Sequence, residues 1–191
     1  MNEQELIQQA IIGNQQAFKF LVKKYERLVF HIAGRLIGRQ DDLEDLCQDV
    51  FVKVFKKLPS FRSDSKLSTW IATIAYREAL NHINKKKIVT EEFKPEILPL
   101  GYESCSKINP ENISIKEEQK QLLLKSIRCL PEKYKTILNM FYLEEFSIKE
   151  IEEITNMPEG TIKNYIFRAR TLLKEELLKQ HNFKEVNYEN R

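Results

Sequence analysis

The sequence is short of the residues that interrupt helices. Its 191 residues include only 5 glycines and 6 prolines, whereas charged residues make up 31% of the chain. Glycine and proline are the least favourable residues in a helix interior, so their scarcity favours helices over strands. We therefore expect an all-α protein. The length allows one or two small domains, and the organisation described below favours two.

Cysteine, histidine and long hydrophobic runs are scarce as well. Cys47, Cys105 and Cys129 are far apart and odd in number, which fits neither a disulfide framework nor a zinc site. The three histidines lack ligand spacing, so we expect no metal and no other cofactor. The hydrophobic stretch at residues 67–76 is too short to cross a bilayer, and the polar N-terminus is not a signal peptide. A cytoplasmic protein without membrane insertion is expected.

The formal net charge of +3 conceals an uneven distribution. Residues 41–49 carry five acids and no base, whereas residues 61–87 carry six bases against two acids. Because the overall charge is small, any affinity for nucleic acid must come from local patches. We expect the two surfaces to have different partners.

The most informative stretch, residues 146–170, predicts two helices joined by a tight turn. Ser147 and Glu150 have the spacing of a capping box that starts the first helix. Pro158 lacks an amide proton and is tolerated only in a first turn, so the second helix should begin there. This pattern predicts a helix-turn-helix.

The second helix of this pair has an apolar face and a basic, amide-bearing face. At about 100° per residue, the packing face consists of Ile162, Ile166, Ala169 and Leu173. The candidate DNA-contacting residues on the rest of the helix are Thr161, Lys163, Asn164, Phe167, Arg168 and Arg170. Such a face suits a major groove, where Arg or Lys reads guanine, Asn reads adenine and an aromatic ring covers a thymine methyl. A helical hairpin with a solvated charged face is the alternative.

Residues 42–58 predict a helix with an acidic exposed stripe. Its apolar side consists of Leu43, Cys47, Val50, Val54 and Leu58. The opposite side includes Asp45, Gln48, Asp49 and Val52. An acidic stripe that carries an apolar side chain is typical of a docking face for a basic partner, although a solvated face fits the periodicity equally well.

Residues 61–77 mix aromatic, hydroxyl and basic side chains, and no clean apolar face separates on a helical wheel. The candidates for holding single-stranded nucleic acid are Phe61, Arg62, Ser68, Thr69, Trp70 and Arg77. Bases stack on aromatic rings while cations follow phosphates, which is the chemistry such binding requires. A core position for Trp70 is the competing interpretation.

Helical periodicity disappears between residues 89 and 113, where prolines and a glycine punctuate the chain. We place a flexible linker there. A first helical domain is then expected at residues 1–88 and the helix-turn-helix domain at residues 114–180. The polar tail at residues 181–191 is expected to be frayed.

Taken in order, these motifs resemble the extracytoplasmic-function (ECF) group of bacterial RNA polymerase sigma factors, over nearly the whole chain. Residues 45–51 are similar to the helix that docks on the clamp helices of the largest polymerase subunit. Residues 61–77 are similar to the region that melts and captures the promoter's minus-ten element. Residues 130–134 and 157–163 are similar to the domain that reads the minus-thirty-five element.

The resemblance implies a non-enzymatic protein that binds core RNA polymerase and directs promoter-specific initiation, with strand opening at the minus-ten element. The polymerase contacts would be Asp45, Gln48, Asp49 and Val52. The two DNA-contacting sets named above would bind the melted strand and the upstream duplex. An anti-sigma partner, often membrane-bound in this family, is also implied. Glu78 and Asn81 depart from the family pattern. These departures bear on which promoter sequence the protein prefers.

Three other functions fit parts of the sequence. A conventional helix-turn-helix regulator would act without being a polymerase subunit, usually as a dimer on paired half-sites. A metal-dependent nuclease could use the acids at residues 41–49, since carboxylates hold Mg²⁺. Those acids follow one outer helix face without a second convergent set, which disfavours catalysis. A scaffold without either activity is the remaining possibility.

Overall fold

The computed structural model describes residues 2–34, 36–37, 40–91, 123, 126–127 and 129–189. Within these ranges the fold is all-α, as expected, and contains no strand. The helices are α1 (Glu3–Ile11), α2 (Gln15–Gly34), α3 (Gln40–Lys57), α4 (Leu67–Glu91), α5 (Glu132–Tyr142), α6 (Ile148–Thr155) and α7 (Glu159–Glu189), with a 3₁₀ turn at Leu58–Ser60. They form two groups, α1–α4 and α5–α7. A linker was predicted at residues 89–113. Residues 89–91 belong to α4, and residues 92–113 lie outside the described part of the chain.

Helices α1, α3 and α4 pack around α2. The N-terminus of α1 is closed by a capping box between Asn2 and Glu5. Gly13 adopts a left-handed backbone (φ +91°) that lets the chain turn from α1 into α2, because a residue without a Cβ tolerates this geometry. The largest fully buried side chains in this group are Leu21, Val29, Ile32, Val50, Leu58, Leu67 and Ile71. Among them, Val50 lies on α3, and its burial turns the opposite side of that helix to the solvent.

Helices α5 to α7 contain the predicted helix-turn-helix, formed by α6 and α7. The side chain of Ser147 accepts from the amide of Glu150, and Glu150 accepts in return from the amide of Ser147, so the capping box is confirmed. Asn156 takes a left-handed conformation at the end of α6 and turns the chain toward α7. The apolar face of α7 is buried at Ile162, Ile166 and Ala169, as predicted.

The C-terminal tail differs from the sequence expectation. Helix α7 continues to Glu189, nine residues beyond Gln180, where a frayed segment was expected. The sequence contains no proline or glycine after Gly160 that would end the helix. Loss of apolar periodicity therefore does not end the helical backbone here.

Helix α4 is buried on more than one side. It contacts α2 and α3 in its own group and α6 in the other. The buried positions run almost around the helix: Leu67, Thr69, Ile71, Ala72, Ile74, Ala75, Tyr76 and Ala79. This explains why no clean apolar face separates on the helical wheel of residues 67–77.

The charge of Glu150 should make stability fall in acid. Burial raises the pKa of this carboxyl, but hydrogen bonds from Ser147 and Lys66 outweigh it and lower the pKa from 4.5 to about 2. A lowered native pKa stabilises the fold above pH 4.5, and this stability is lost as the pH falls toward 2. We expect Glu150→Gln to lower the free energy of unfolding at pH 7 by about 1 to 2 kcal/mol, after allowance for solvent screening.

Urea unfolding at pH 7, 4 and 3 would measure this difference, which should shrink as the pH falls. Glutamine keeps the capping-box hydrogen bond, so the variant isolates the charge. Glu153→Gln makes the same change at an exposed position of α6 and is the control. A stability difference that stays constant from pH 7 to pH 3 would contradict the assignment.

Candidate nucleic-acid interface

The outer face of α7 presents the residues predicted to contact duplex DNA. Burial of Ile162, Ile166 and Ala169 turns the opposite face of the helix to the solvent. On that face Lys163, Asn164, Phe167, Arg168 and Arg170 are exposed, and Thr161 is half-buried. Phe167 is 69% exposed, which is a large apolar area for a polar surface. A base edge with a methyl group would cover it.

The cations on this face differ in their surroundings. Lys163 pairs with Glu159 one turn earlier, with Nζ and Oε1 2.5 Å apart, and this hydrogen bond lowers the pKa of Glu159. Arg170 lies over the ring of Tyr142 at 5.3 Å and donates from Nε to the Tyr142 hydroxyl at 2.5 Å. Arg168 has no ion pair within the described part of the chain. It is the cation most available to a ligand.

A group of aromatic residues supports α7 from behind, and the sequence analysis did not identify it. The rings of Tyr134 and Tyr165 meet edge to face at 5.4 Å, with Lys133 above both. Tyr142 orients Arg170 by a similar contact between a cation and a ring. These pairs join α5 to α7 over some 30 residues of sequence, so no local periodicity could have indicated them.

The acidic stripe of α3 is exposed as predicted. Asp45, Gln48 and Asp49 are exposed, and Val52 is 49% exposed. Opposite them the residues that anchor the helix are buried: Leu43, Leu46, Val50 and Val54. The stripe thus has the form of a docking surface, with charged residues beside an apolar one.

Phe55 extends the apolar end of this stripe. It is 50% exposed and meets the Phe18 ring edge to face at 4.9 Å. Sequence analysis missed it, although its position three residues after Val52 places it on the same helix face. Elsewhere on α3, burial raises the pKa of the Cys47 thiol, which favours the protonated form.

The residues predicted to hold a single strand are only partly brought together. Phe61 and Trp70 form a tilted ring pair with centroids 5.2 Å apart, and both are half-buried. Arg62 and Arg77 are exposed. Trp70 therefore packs on one side and reaches solvent on the other.

Thr69 lies elsewhere, beneath the second group of helices. It is fully buried, and its hydroxyl lies 3.3 Å from Oε1 of Glu150 on α6. Lys66 approaches the same carboxylate oxygen at 3.0 Å. Glu150 thus helps to cap the N-terminus of its own helix, α6, and also contacts the start of α4.

The described residues contain no candidate metal site and no candidate membrane span. No group of three or more His, Cys, Asp or Glu side chains within them could hold a metal ion. In the same part of the chain, no helix is both long and apolar enough to span a bilayer.

Comparison with known proteins identifies both halves of the chain. The family model for Sigma-70 region 2 matches residues 21–88, and that for Sigma-70, region 4 matches residues 120–173. The ECF RNA polymerase sigma factor SigW of Bacillus subtilis is 31% identical over 176 residues, which are 90% of this chain and 94% of that protein. The ECF RNA polymerase sigma-E factor of Escherichia coli K12 is also 31% identical, over 89% of this chain and 91% of its own length.

Solved structures show the same fold. The sigma factor RpoE of Bartonella quintana, in complex with the anti-sigma factor NepR, matches with a TM-score of 0.66 at 26% identity. The match covers 85% of this chain and 96% of that one. CnrH, in complex with the cytosolic domain of CnrY, shares the fold with a TM-score of 0.60 at 19% identity, over 90% of this chain and 94% of its own. Near full-length similarity to SigW and sigma-E means that this chain belongs to the ECF family of RNA polymerase sigma factors.

Proposed function

We propose that this sigma factor attaches to core RNA polymerase through α3, reads the upstream promoter duplex with α7, and captures the opened strand with the start of α4. The observation that carries the proposal is the contrast between two exposed surfaces of one chain. The α3 stripe is acidic and partly apolar, whereas the outer face of α7 is basic and carries Phe167. A basic protein surface and a DNA groove are the complementary partners of these two faces. The chain acts without catalysis of its own.

The polymerase contact is assigned to Asp45, Gln48, Asp49 and Val52. Exposed carboxylates steer a basic partner and fix its orientation, while apolar area at the centre supplies affinity. Phe55 and Phe18 enlarge that apolar area. The two carboxylates would pair with basic residues of the polymerase.

Duplex recognition is assigned to Thr161, Lys163, Asn164, Phe167, Arg168 and Arg170. Arg168 is exposed without an internal ion pair among the described residues, so it can form a bidentate contact with guanine. Asn164 lies one turn earlier on the same face and can read adenine. Phe167 loses exposed apolar area on contact with a thymine methyl.

Strand capture is assigned to Phe61, Arg62, Ser68, Trp70 and Arg77. Thr69 belongs to the predicted set, but it is fully buried in this arrangement and has no surface to offer a strand. The ring pair of Phe61 and Trp70 offers a stacking surface, and the exposed arginines can follow the phosphates.

The similarity to RpoE, solved with the anti-sigma factor NepR, supports an anti-sigma partner for this chain as well.

Removing the carboxylates of Asp45 and Asp49 on α3 should weaken attachment to the polymerase. We expect Asp45→Ala/Asp49→Ala to weaken binding to Bacillus subtilis core RNA polymerase by about tenfold or more, a loss of about 1.4 kcal/mol. Binding would be followed by fluorescence anisotropy, and initiation by transcription of a fragmented genomic library, whose wild-type products also reveal the promoter sequences. Glu152→Ala/Glu153→Ala removes two exposed acids from α6 and is the control. Specific duplex binding by the free protein, with no core binding, would instead indicate a conventional regulator.

Arg168 should contribute to sequence discrimination. We expect Arg168→Ala to cost about 1 to 3 kcal/mol on the preferred promoter and to relax the preference at one base pair. Holoenzyme binding to a set of single-base promoter variants would measure this effect. Lys174→Ala, another exposed cation of α7, is the comparison. An equal loss on all sequences would identify Arg168 as a phosphate contact.

Trp70 should support strand opening through its exposed part. We expect Trp70→Ala to reduce promoter opening, measured by permanganate reactivity of unpaired thymines, because stacking contributes about 1 to 3 kcal/mol per base. The assay should run well below the melting temperature of the variant, which separates opening from folding. Normal opening by a variant with reduced thermal stability would show that Trp70 serves the core alone.

A further inference from the structure

Glu78 departs from the family pattern, and the proposed function assigns it no role. It lies on α4 directly after Arg77, which is exposed and belongs to the strand-capture set. Neighbouring Cα atoms are about 3.8 Å apart, so a phosphate bound by Arg77 would lie roughly 10 Å from the Glu78 carboxylate, about the Debye length at 0.1 M salt. A free carboxylate at this position would therefore oppose the attraction of Arg77 for a DNA strand.

The structure places a cation on this carboxylate. The Lys53 ammonium group, on α3, donates a hydrogen bond to Oε2 of Glu78 and forms an ion pair with it. The Glu78 side chain is only 17% exposed, whereas that of Lys53 is 45% exposed. The carboxylate is therefore largely covered, and its charge is matched by a cation that reaches the solvent.

Buried residues on both helices hold this pair in place. On α3, the buried residues Val50 and Val54 lie on either side of Lys53 in the sequence. On α4, Ala79 is completely buried directly after Glu78, and the two helices are in contact. Because this packing fixes both backbones, only the two charged side chains have to be ordered when the pair forms.

The pair lies between two surfaces that the proposed function assigns to different partners. Lys53 follows Val52, at the end of the acidic stripe on α3, and Glu78 follows Arg77 on α4. A free cation beside the stripe would repel a basic polymerase surface, and a free anion beside Arg77 would repel DNA. Pairing cancels both charges where each would be unfavourable.

We propose that Lys53 is a positioning residue for strand capture, which holds the Glu78 carboxylate against α3 and cancels its charge beside Arg77. The inference rests on the proposed function. Lys53 acts through Glu78 and does not itself touch the strand. Its effect on strand capture therefore depends on the presence of the carboxylate.

The test is the effect of Lys53→Met on the binding of an unpaired strand, with and without that carboxylate. The probe is a promoter fragment from the transcription experiment in which the non-template strand of the minus-ten element is left unpaired. The sigma factor would be bound to saturating Bacillus subtilis core polymerase, because Lys53 lies beside Val52. Probe affinity would be measured by fluorescence anisotropy at about 50 mM and about 300 mM salt.

We expect Lys53→Met to weaken probe binding about two- to tenfold at the lower salt concentration and less at the higher one, because salt screens the uncovered charge. In a Glu78→Gln background the same substitution should change the affinity by about twofold or less, since no carboxylate remains to be released. Lys53→Arg retains a cation for the pair and should bind like the wild type.

Lys57→Met is the matched control. Lys57 lies one turn after Lys53 on the same side of α3. It is exposed and has no ion pair within the described residues. Its removal changes the net charge by the same amount without releasing a carboxylate, so we expect a change in probe affinity of about twofold or less.

The inference is overturned if Lys53→Met causes no loss, the same loss as Lys57→Met, or the same loss in both backgrounds. Equal losses in both backgrounds would show that Lys53 contacts the phosphates itself. Each affinity would be measured below the unfolding temperature of the variant, so that a loss of binding is not a loss of folding. The proposed function fails separately, if the wild-type holoenzyme does not prefer the unpaired probe to the fully paired fragment.

Discussion

Burial of α4 on both sides is the constraint on which the rest of the structure depends. The helix packs against α2 and α3 in one direction and α6 in the other, and Thr69, Ala72 and Ala75 are completely buried. Small side chains at these positions let neighbouring helices approach closely, so that isoleucines from both groups fill one cluster. The same helix begins at the proposed strand-capture surface, where Thr69 is buried and its hydroxyl contacts Glu150 of α6.

Charged side chains are placed at the edges of the domain boundary and apolar ones at its centre. Glu150 and Glu144 each reach from the helix-turn-helix domain to a nitrogen on the first domain, at Lys66 and His31. Partly exposed pairs of this kind contribute little net free energy but fix the orientation in which apolar surfaces meet. The apolar centre supplies the attraction, and the polar edge determines the register.

Features that depend on neighbours within one helical turn were predictable from the sequence. The Ser147–Glu150 capping box and the buried side of α7 follow from spacings of three and four residues. Contacts between distant parts of the chain were not predictable, because periodicity contains no information on which faces meet. The pairs of Arg170 with Tyr142 and of His31 with Glu144 are of this kind. Residues 67–77 show both cases. Their mixed helical wheel indicated an unusual role, but the burial of Thr69 under α6 could be seen only in the three-dimensional structure.

The outer face of α7, to which duplex recognition is assigned in the proposed function, divides its charge along the helix. At the start of the helix Lys163 is matched by Glu159 at 2.5 Å, so this part of the face adds little attraction for phosphate. One turn later Arg168 is exposed without an internal ion pair in the described part of the chain, and Arg170 is oriented by Tyr142. A guanidinium held on an aromatic ring loses less conformational freedom on binding than a mobile one. Electrostatic attraction is therefore concentrated at Arg168 and Arg170, in the third turn of α7, where Phe167 provides an apolar contact beside the two arginines. Under the proposed function, affinity and base discrimination lie on the same helical turn, so a change in Arg168 should alter both together.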